Sequence, residues 1–390
     1  MNYYKLKINY LPELKKLLTG RNVPAMVSVN VTNSCNQNCI YCEIGQKWDH
    51  KDAQMITKEN LFRVIDDMAK HGINRLSLCG GEPFLLPDLL EVVLYAREHH
   101  VFCNITSNGM TIHKLNRNEL HLLKVCGTII NISIDSFQSP IQSETRGNKQ
   151  ALENALLSIE ALQKFQIPVH LLCAISKFNY KDLFTSLCKA NDRNIQSVLY
   201  QPIISFSNFP GQDPIAQKGE LNVAVDDINT LMEELKLMFE FEKQNPVKTN
   251  LYRIIPWIAD YLKQFQDPEH KPFYIRSLSR FYCRESEEVI DIGFHGGLQP
   301  CGLLAPTLYL KDDPDEDLLV MWRRATRSLK EQLKQELYPL ECSGCCHKFG
   351  RNMLASVMKY PLQNRNMLFK VFPLLWTREW NHLYLKYSKS

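Results

Sequence analysis

The chain has 390 residues, 45% of them hydrophobic and 23% charged, which allows a barrel-sized domain plus a smaller one. Thirteen Cys with no signal-type apolar run near Met1 argue against a secreted disulfide framework and for a reducing cytosol, and no apolar run approaches the roughly 18 residues of a membrane-spanning helix. Of 46 basic and 42 acidic residues, eight and one fall in 347–390, so the tail is basic while the body is slightly acidic, and nucleic-acid binding is not indicated.

Residues 1–22 read as a short amphipathic lead-in, with Leu11, Leu14, Leu17 and Leu18 at helical spacing. Residues 26–31 alternate Val with polar residues as a strand does, and the strand runs into a Cys-rich loop. Leu61, Val64, Ile65 and Met68 then mark a helix that Gly72 stops. A second strand over 75–79 closes on Gly80-Gly81-Glu82-Pro83, and Pro87 opens a helix carrying Leu89, Leu90, Val93 and Ala96. A third strand over 101–106 leads to Ser107-Asn108-Gly109. A helix near 116–125 precedes a fourth strand over 128–134 and then Asp135-Ser136. A helical stripe follows at Leu152, Ala155, Leu156, Ile159 and Leu162. Strands over 169–175 and 197–202 flank a helix near 180–191. Such alternation with short links predicts parallel βαβ units. Every polar or Gly-rich motif follows a strand, the face on which a (β/α) barrel builds its active site.

The Cys-rich loop is Cys35-Asn36-Gln37-Asn38-Cys39-Ile40-Tyr41-Cys42. Four Cys normally hold a [4Fe–4S] cluster, so three thiolates leave one iron open for a small molecule. Zinc is the competing metal, but structural zinc sites close with four protein ligands. Three core cysteines are the bland alternative, disfavoured by the polar neighbours Asn36, Gln37, Asn38 and Glu43. This C-x3-C-x2-C run with an aromatic before its last Cys resembles the signature loop of the radical S-adenosylmethionine (SAM) superfamily. The resemblance implies a partial (β/α)6 TIM-like barrel over 23–205, Cys35, Cys39 and Cys42 as cluster ligands, SAM on the open iron, and Tyr41 against the adenine. Gly80, Gly81, Glu82 and Pro83 resemble the family's GGEP motif: two glycines permit close backbone approach to a ligand, and the carboxylate pairs with the SAM ammonium. Ser107 and Asn108 are then expected at the SAM carboxylate or ribose, Ser133 and Asp135 at the ribose hydroxyls, and Arg146 at the SAM carboxylate. Taken singly, these short motifs also read as plain turns, and Arg146 as a surface cap. Asn179 reads as the N-cap of the next helix rather than a ligand.

A second set comprises Cys283 and Cys301, spaced C-x12-G-x4-C around a strand at 289–292 and a turn at Gly296-Gly297, and then Cys342, Cys345 and Cys346. It resembles the SPASM/twitch extension, in its shorter twitch form. That implies a small C-terminal α+β domain over 281–350, with Cys283, Cys301, Cys342 and Cys345 holding an auxiliary [4Fe–4S] cluster. Zinc on the same four Cys stays open, and Cys346 is a spare or a replacement for Cys345. Cys79, Cys103, Cys126, Cys173 and Cys188 read as core thiols. Residues 206–280 read as a helical connecting insert.

The resemblance implies reductive cleavage of SAM to a 5′-deoxyadenosyl radical, with an electron donor such as flavodoxin or ferredoxin. Hydrogen would be abstracted from a small-molecule, anionic or lipid-linked substrate. The auxiliary cluster would take up the substrate electron, or bind substrate if one Cys is not a ligand. A maturase acting on a peptide is the alternative, lowered because 22 residues ahead of the first strand are too few for a folded recognition module. A non-catalytic metal protein is the third. In the 351–390 tail Phe369, Phe372, Trp376, Trp380, Tyr384 and Tyr387 alternate with cations. That mix would suit peripheral membrane contact or an anionic substrate; a packed helix with solvated cations is the plain alternative.

Overall fold

The structure is a computed structural model; it describes residues 23–42, 44, 53–203, 218–264, 279–346, 352, 356–357 and 359–367. Six strands alternate with helices: β1 (Met26–Thr32), α1 (Lys58–His71), β2 (Arg75–Gly80), α2 (Leu89–Glu98), β3 (Phe102–Ser107), α3 (Arg117–Val125), β4 (Ile129–Ser133), α4 (Ser139–Arg146), α5 (Ala151–Lys164), β5 (Val169–Ile175), α6 (Leu183–Asp192) and β6 (Ser197–Pro202). β1 to β6 lie side by side in sequence order and all pair in parallel, giving the partial (β/α)6 barrel.

Local chemistry sets these boundaries. Thr57 caps α1 through its side chain, and Gly72 ends it in the left-handed region at φ 69°. Asn116 and Glu119 form a reciprocal capping box on α3. On the strands, one set of alternate residues (Val27, Val29, Leu76, Leu78, Ile105, Ile130, Ile132) is shut against the helices. The other set faces the barrel interior. α4 has no counterpart in the sequence reading, which left 139–146 without an element; it is short and mostly polar, with only Gln142, Thr145 and Arg146 buried.

The connecting insert is not purely helical. After α7 (Ile228–Gln244) comes a two-residue strand, β7 (Lys248–Thr249), that pairs in parallel with β6 and extends the sheet; α8 (Leu251–Ile254) and α9 (Ile258–Lys263) follow. A short α10 (Glu285–Glu288) leads into β8 (Val289–Ile292), β9 (Gly297–Gln299), β10 (Leu308–Tyr309) and α11 (Leu318–Lys334). β8 pairs in parallel with β1, and β9 and β10 continue antiparallel, so the C-terminal hairpin prolongs the barrel sheet at its first strand. The lead-in of residues 1–22, Glu43 and the tail aromatics Phe369, Phe372, Trp376, Trp380, Tyr384 and Tyr387 lie outside the described residues. Among the described residues, no helix is long and apolar enough to cross a membrane.

α11 is docked on α1 by polar contacts that periodicity does not reveal. Arg63 donates to the carbonyls of Leu310, Asp313 and Glu316 at 2.8, 2.8 and 2.6 Å. Asp317 caps α11 and accepts from Lys70 and His71. Burial alone would push the Asp317 carboxyl up, but the bonds from Lys70 and His71 bring it down to about 2. Its contribution to stability should therefore be complete above its ordinary value of 3.8 and fade as pH falls towards 2. Asp317→Ala should cost about 1 kcal/mol at neutral pH, the usual worth of an N-cap, and little near pH 2. Urea unfolding of both proteins across that range measures the difference; a gap that persists undiminished in acid would contradict this account.

Candidate active site

The loop after β1 is positioned through its backbone. Thr32 and Asn33 bond to Gln54 on the far side of the loop: Thr32 Oγ1 donates to the Gln54 carbonyl at 2.9 Å, and Gln54 N–H to Asn33 Oδ1 at 2.7 Å. On the other side lies the β2 turn. Gly81 N–H donates to the Thr32 carbonyl at 2.7 Å, and Glu82 N–H to the Ser34 carbonyl at 2.8 Å. A Cβ on Gly81 would sit 1.9 Å from Ser34 O, and one on Gly80, which has φ 111°, would meet Thr32 O at 2.9 Å. The close approach these glycines permit is thus to the Cys loop itself, where the sequence reading had expected a ligand. From the third side, Ile40 N–H donates to the Thr145 carbonyl at 3.1 Å, and Gly147 at the end of α4, with φ 61°, lies where a Cβ would be 2.1 Å from Asn38 O.

Glu82 connects this loop to β3. It is 1% exposed, and its carboxylate accepts from Ser107 Oγ at 2.8 Å, Asn108 N–H at 2.8 Å and Phe84 N–H at 3.1 Å. Burial pushes its carboxyl up to about 7, against the pull of those three donors. Asn108 reaches back to the loop, with Nδ2 at 2.6 Å from Asn36 Oδ1 and 3.6 Å from Cys35 Sγ. Pro83 opens the short turn that follows and is buried.

The other half of the site is a buried ion pair. Arg146 Nη2 donates to Asp135 Oδ1 at 2.6 Å, and Nη1 lies 4.0 Å from Cys39 Sγ. The guanidinium sits 5.5 Å from the Tyr41 ring centre, and the Tyr41 hydroxyl donates to Asp135 Oδ2. Ala174 N–H donates to Asp135 Oδ1 at 2.9 Å. Asp135 is thus engaged by three protein donors and is 1% exposed, as Glu82 is; Ser133, half-buried at the end of β4, is the more accessible of the two residues expected at the ribose. Arg146 is no surface cap, and its Nε is buried without a hydrogen-bond partner among the described residues.

Two residues that hold this half in place were not singled out as such. Gln142 Oε1 accepts from Asp135 N–H at 2.8 Å and Ser136 N–H at 3.2 Å. Asn179 is fully buried and donates to the carbonyls of Asp135 and Ala174, both at 2.9 Å. The helix cap falls at Asp182, so the N-cap reading of Asn179 is overturned. A polar residue with no solvent-facing phase in its helix or loop was the only sequence signal for either.

The donor chemistry of the loop fits an iron–sulfur cluster. Burial pushes the Cys35 thiol up to about 12 and Cys39 to about 11, the latter against the pull of Arg146. Metal must displace those protons, and Arg146 is the adjacent cation that offsets the thiolate charge so created.

Residues 29–187 match the Radical SAM superfamily. This stretch is a radical SAM domain. It is 28% identical over 168 residues to the AdoMet-dependent heme synthase of Methanosarcina barkeri, covering 43% of this chain and 47% of that one. It is 27% identical over 158 residues to the sporulation killing factor maturation protein SkfB of Bacillus subtilis, covering 40% and 37%. The matches thus span about half or less of those relatives. In fold, the chain is similar to Streptococcus suis SuiB bound to S-adenosylmethionine, with TM-score 0.59 and 15% identity over 84% of this chain and 74% of that one.

Beyond the radical SAM domain, the second cysteine set brings together Cys283, ahead of β8, Cys301, after β9, and the 340–346 turn. Burial raises the thiols of Cys283, Cys301 and Cys342, and these Cys and Cys345 lie near enough that charge on one would raise others further. Cys346 points elsewhere: its Sγ is 3.2 Å from the Pro202 carbonyl and 3.4 Å from Gln201 Nε2, at the rim of β6. Among the described residues, no three His, Cys, Asp or Glu side chains of either set converge as on a single metal ion. Of the five Cys read as core thiols, Cys103, Cys126 and Cys173 are in the core and Cys188 is half-buried. Cys79 instead faces the barrel interior, 3.7 Å from Ser28 Oγ.

Gly81→Ala should push the β2 turn off the Cys loop at a cost of about 1–3 kcal/mol. It should lower the iron bound after anaerobic reconstitution by about four of eight atoms, one cluster's worth. Iron analysis with electron paramagnetic resonance of the reduced protein checks this; full iron with an unchanged spectrum would refute it.

Proposed function

We propose that the chain is a radical SAM enzyme that cleaves SAM reductively and oxidises a substrate held in its barrel. The observation that carries this reading is the convergence of Cys35, Cys39 and Cys42, Glu82, Asn108 and Arg146 at the C-terminal ends of parallel strands. A [4Fe–4S] cluster on the three Cys, with SAM on its open iron, would supply the electron that breaks the SAM C5′–S bond and the 5′-deoxyadenosyl radical that takes hydrogen from the substrate. Glu82 is the counter-charge for the SAM ammonium, and burial keeps competing water away from it. Ser107, Asn108 and Ser133 offer hydrogen bonds to the SAM carboxylate and ribose, with Gly80, Gly81 and Pro83 shaping the turn. Tyr41 presents its ring to the adenine, held by Asp135 and Arg146. Cys283, Cys301, Cys342 and Cys345 would hold an auxiliary cluster as electron acceptor. A flavodoxin or ferredoxin would be the donor. Likeness to SkfB and SuiB, the latter also solved with its precursor peptide SuiA, supports a peptide substrate as a second reading beside a small molecule.

Anaerobically reconstituted protein should carry about eight irons and release 5′-deoxyadenosine from SAM under dithionite. Replacing Cys35, Cys39 and Cys42 by Ala should abolish release, and replacing Cys301 should halve the iron yet leave some release. Bound zinc with no cleavage would sink the proposal.

Glu82 supplies a pH signature. Because burial raises its carboxyl to about 7 from 4.5, ionising it costs folding stability, a cost absent below 4.5 and complete above 7. An ammonium ligand needs the ionised form, so SAM affinity should fall about tenfold per pH unit below 7. In Glu82→Gln, affinity should be weak and flat with pH. Calorimetric titration from pH 5 to 8 reads both, and a wild-type affinity flat across that range would remove Glu82 from the ammonium site.

A further inference from the structure

Bulky branched side chains fill an ordinary (β/α) barrel interior into a packed core. This interior is built differently. On β1 to β4 the face turned away from the helices carries six polar residues, Ser28, Asn30, Ser77, Asn104, Thr106 and Asn131, among Met26, Cys79, Phe102, Ile129 and Ser133. Register sets Ser28, Ser77 and Asn104 side by side, and Thr106 beside Asn131. Five of the six are half-buried, while their helix-facing neighbours are shut. None is charged. Arg75 shares the face but lies exposed at the opposite mouth, and Asp291 of β8, in register with Ser28, adds a carboxylate at the edge. His170 of β5 stands beside Asn131 on the same face, but burial lowers its imidazole to about 4, so apart from Arg75 at the far mouth an anion would find no cation here and would bear the cost of desolvation unpaired.

The wall has one site of defined hydrogen-bonding character. Asn131, 6% exposed, donates through Nδ2 to Asn104 Oδ1 at 2.7 Å and Thr106 Oγ1 at 3.2 Å. That leaves Asn131 Oδ1 and Asn104 Nδ2 without partners among the described residues. Turning both amides over would still leave one donor and one acceptor. A donor beside an acceptor is the complement of an amide. Asn131 pairs with Thr106, two residues before Asn108, so it lies roughly 7 Å down the strand from the turn that reaches the Cys35 loop, and Asn104 lies about 7 Å further down.

We propose that the substrate presents an uncharged amide to Asn104 and Asn131, making them the specificity-determining pair of the barrel interior. This rests on the radical SAM reading of the same site. It disfavours the anionic and lipid-phosphate substrates that the basic tail suggested.

The test uses reconstituted full-length protein with SAM bound, titrated with blocked tripeptides, acetyl-Gly-X-Gly-amide, where X is asparagine, alanine, aspartate or lysine. The asparagine peptide should bind about tenfold more tightly than the aspartate and lysine peptides. If alanine equals asparagine, the ligand is a backbone amide; if it binds more weakly, the ligand is a side-chain carboxamide. Asn131→Asp should erase the preference, and Asn104→Ser is the second variant should the first not fold, with SAM binding as the control for folding. Aspartate or lysine binding as tightly as asparagine, a preference that survives in the folded variants, or no binding by any peptide would overturn the proposal. Failure of the parent protein to bind or cleave SAM would instead overturn the reading on which it rests.

Discussion

Everything in the candidate site depends on one backbone contact, the β2 turn against the exit of β1. A loop of three Cys has no regular structure to hold it, and its thiols can serve one cluster only if its backbone is already in place. Two hydrogen bonds, from Gly81 and Glu82 to the carbonyls of Thr32 and Ser34, provide that. Each contributes only about 1 kcal/mol net. The stricter constraint is steric, since any side chain at residue 81 would overlap Ser34. The same turn then sends the Glu82 carboxylate to β3, where it fixes Ser107 and Asn108. One tetrapeptide thus sets the geometry of three successive strand ends.

The second constraint is electrostatic. Asp135 and Arg146 are buried together, and removing one partner of such a pair typically costs about 3–5 kcal/mol because the other charge is left stranded. The pair is supported on all sides: Tyr41 and Ala174 donate to the carboxylate, while Gln142 and Asn179 hold the backbone of Asp135. A structure carries such a cost where a charge is needed, and here the cation lies beside Cys39. Binding metal converts buried thiols to thiolates, so a fixed positive charge at that position lowers the cost of loading the loop.

The sequence made the strand ends legible because parallel strands flanked by helices leave strong alternation and short polar links. β5 and β6 and the strand at 289–292 fell where alternation put them. The cysteines and Glu82 were legible because few residue types can do their chemistry. What stayed hidden was long-range: that Gly81 meets Ser34, that Asp135 faces inward to Arg146, that Asn179 braces a loop instead of capping a helix. Each depends on a partner in another element, 11 to 47 residues away, and local pattern carries no trace of it. α4 was hidden for a different reason, since a helix of eight residues with three buried side chains lacks the apolar stripe that marks the others.

The two cysteine sets share a strand. The first leaves the end of β1, and β8 pairs with β1 over Met26 to Val29, with Cys283 before it and Cys301 soon after it. Their separation is therefore governed by a strand register, which side-chain phase pins strongly because a one-residue slip would turn Ile290 and Ile292 out of the core. A second tie closes the far edge: the Tyr261 hydroxyl shares its proton between the carbonyls of Ile203 and Gly344, at 2.9 and 3.0 Å, and Cys346 seats on the Pro202 carbonyl. The turn carrying Cys342 and Cys345 is thus fastened to β6 while Cys283 and Cys301 are fastened to β1. The second set spans the two edges of the parallel barrel strands, so it holds its geometry only when the barrel between them is correctly formed.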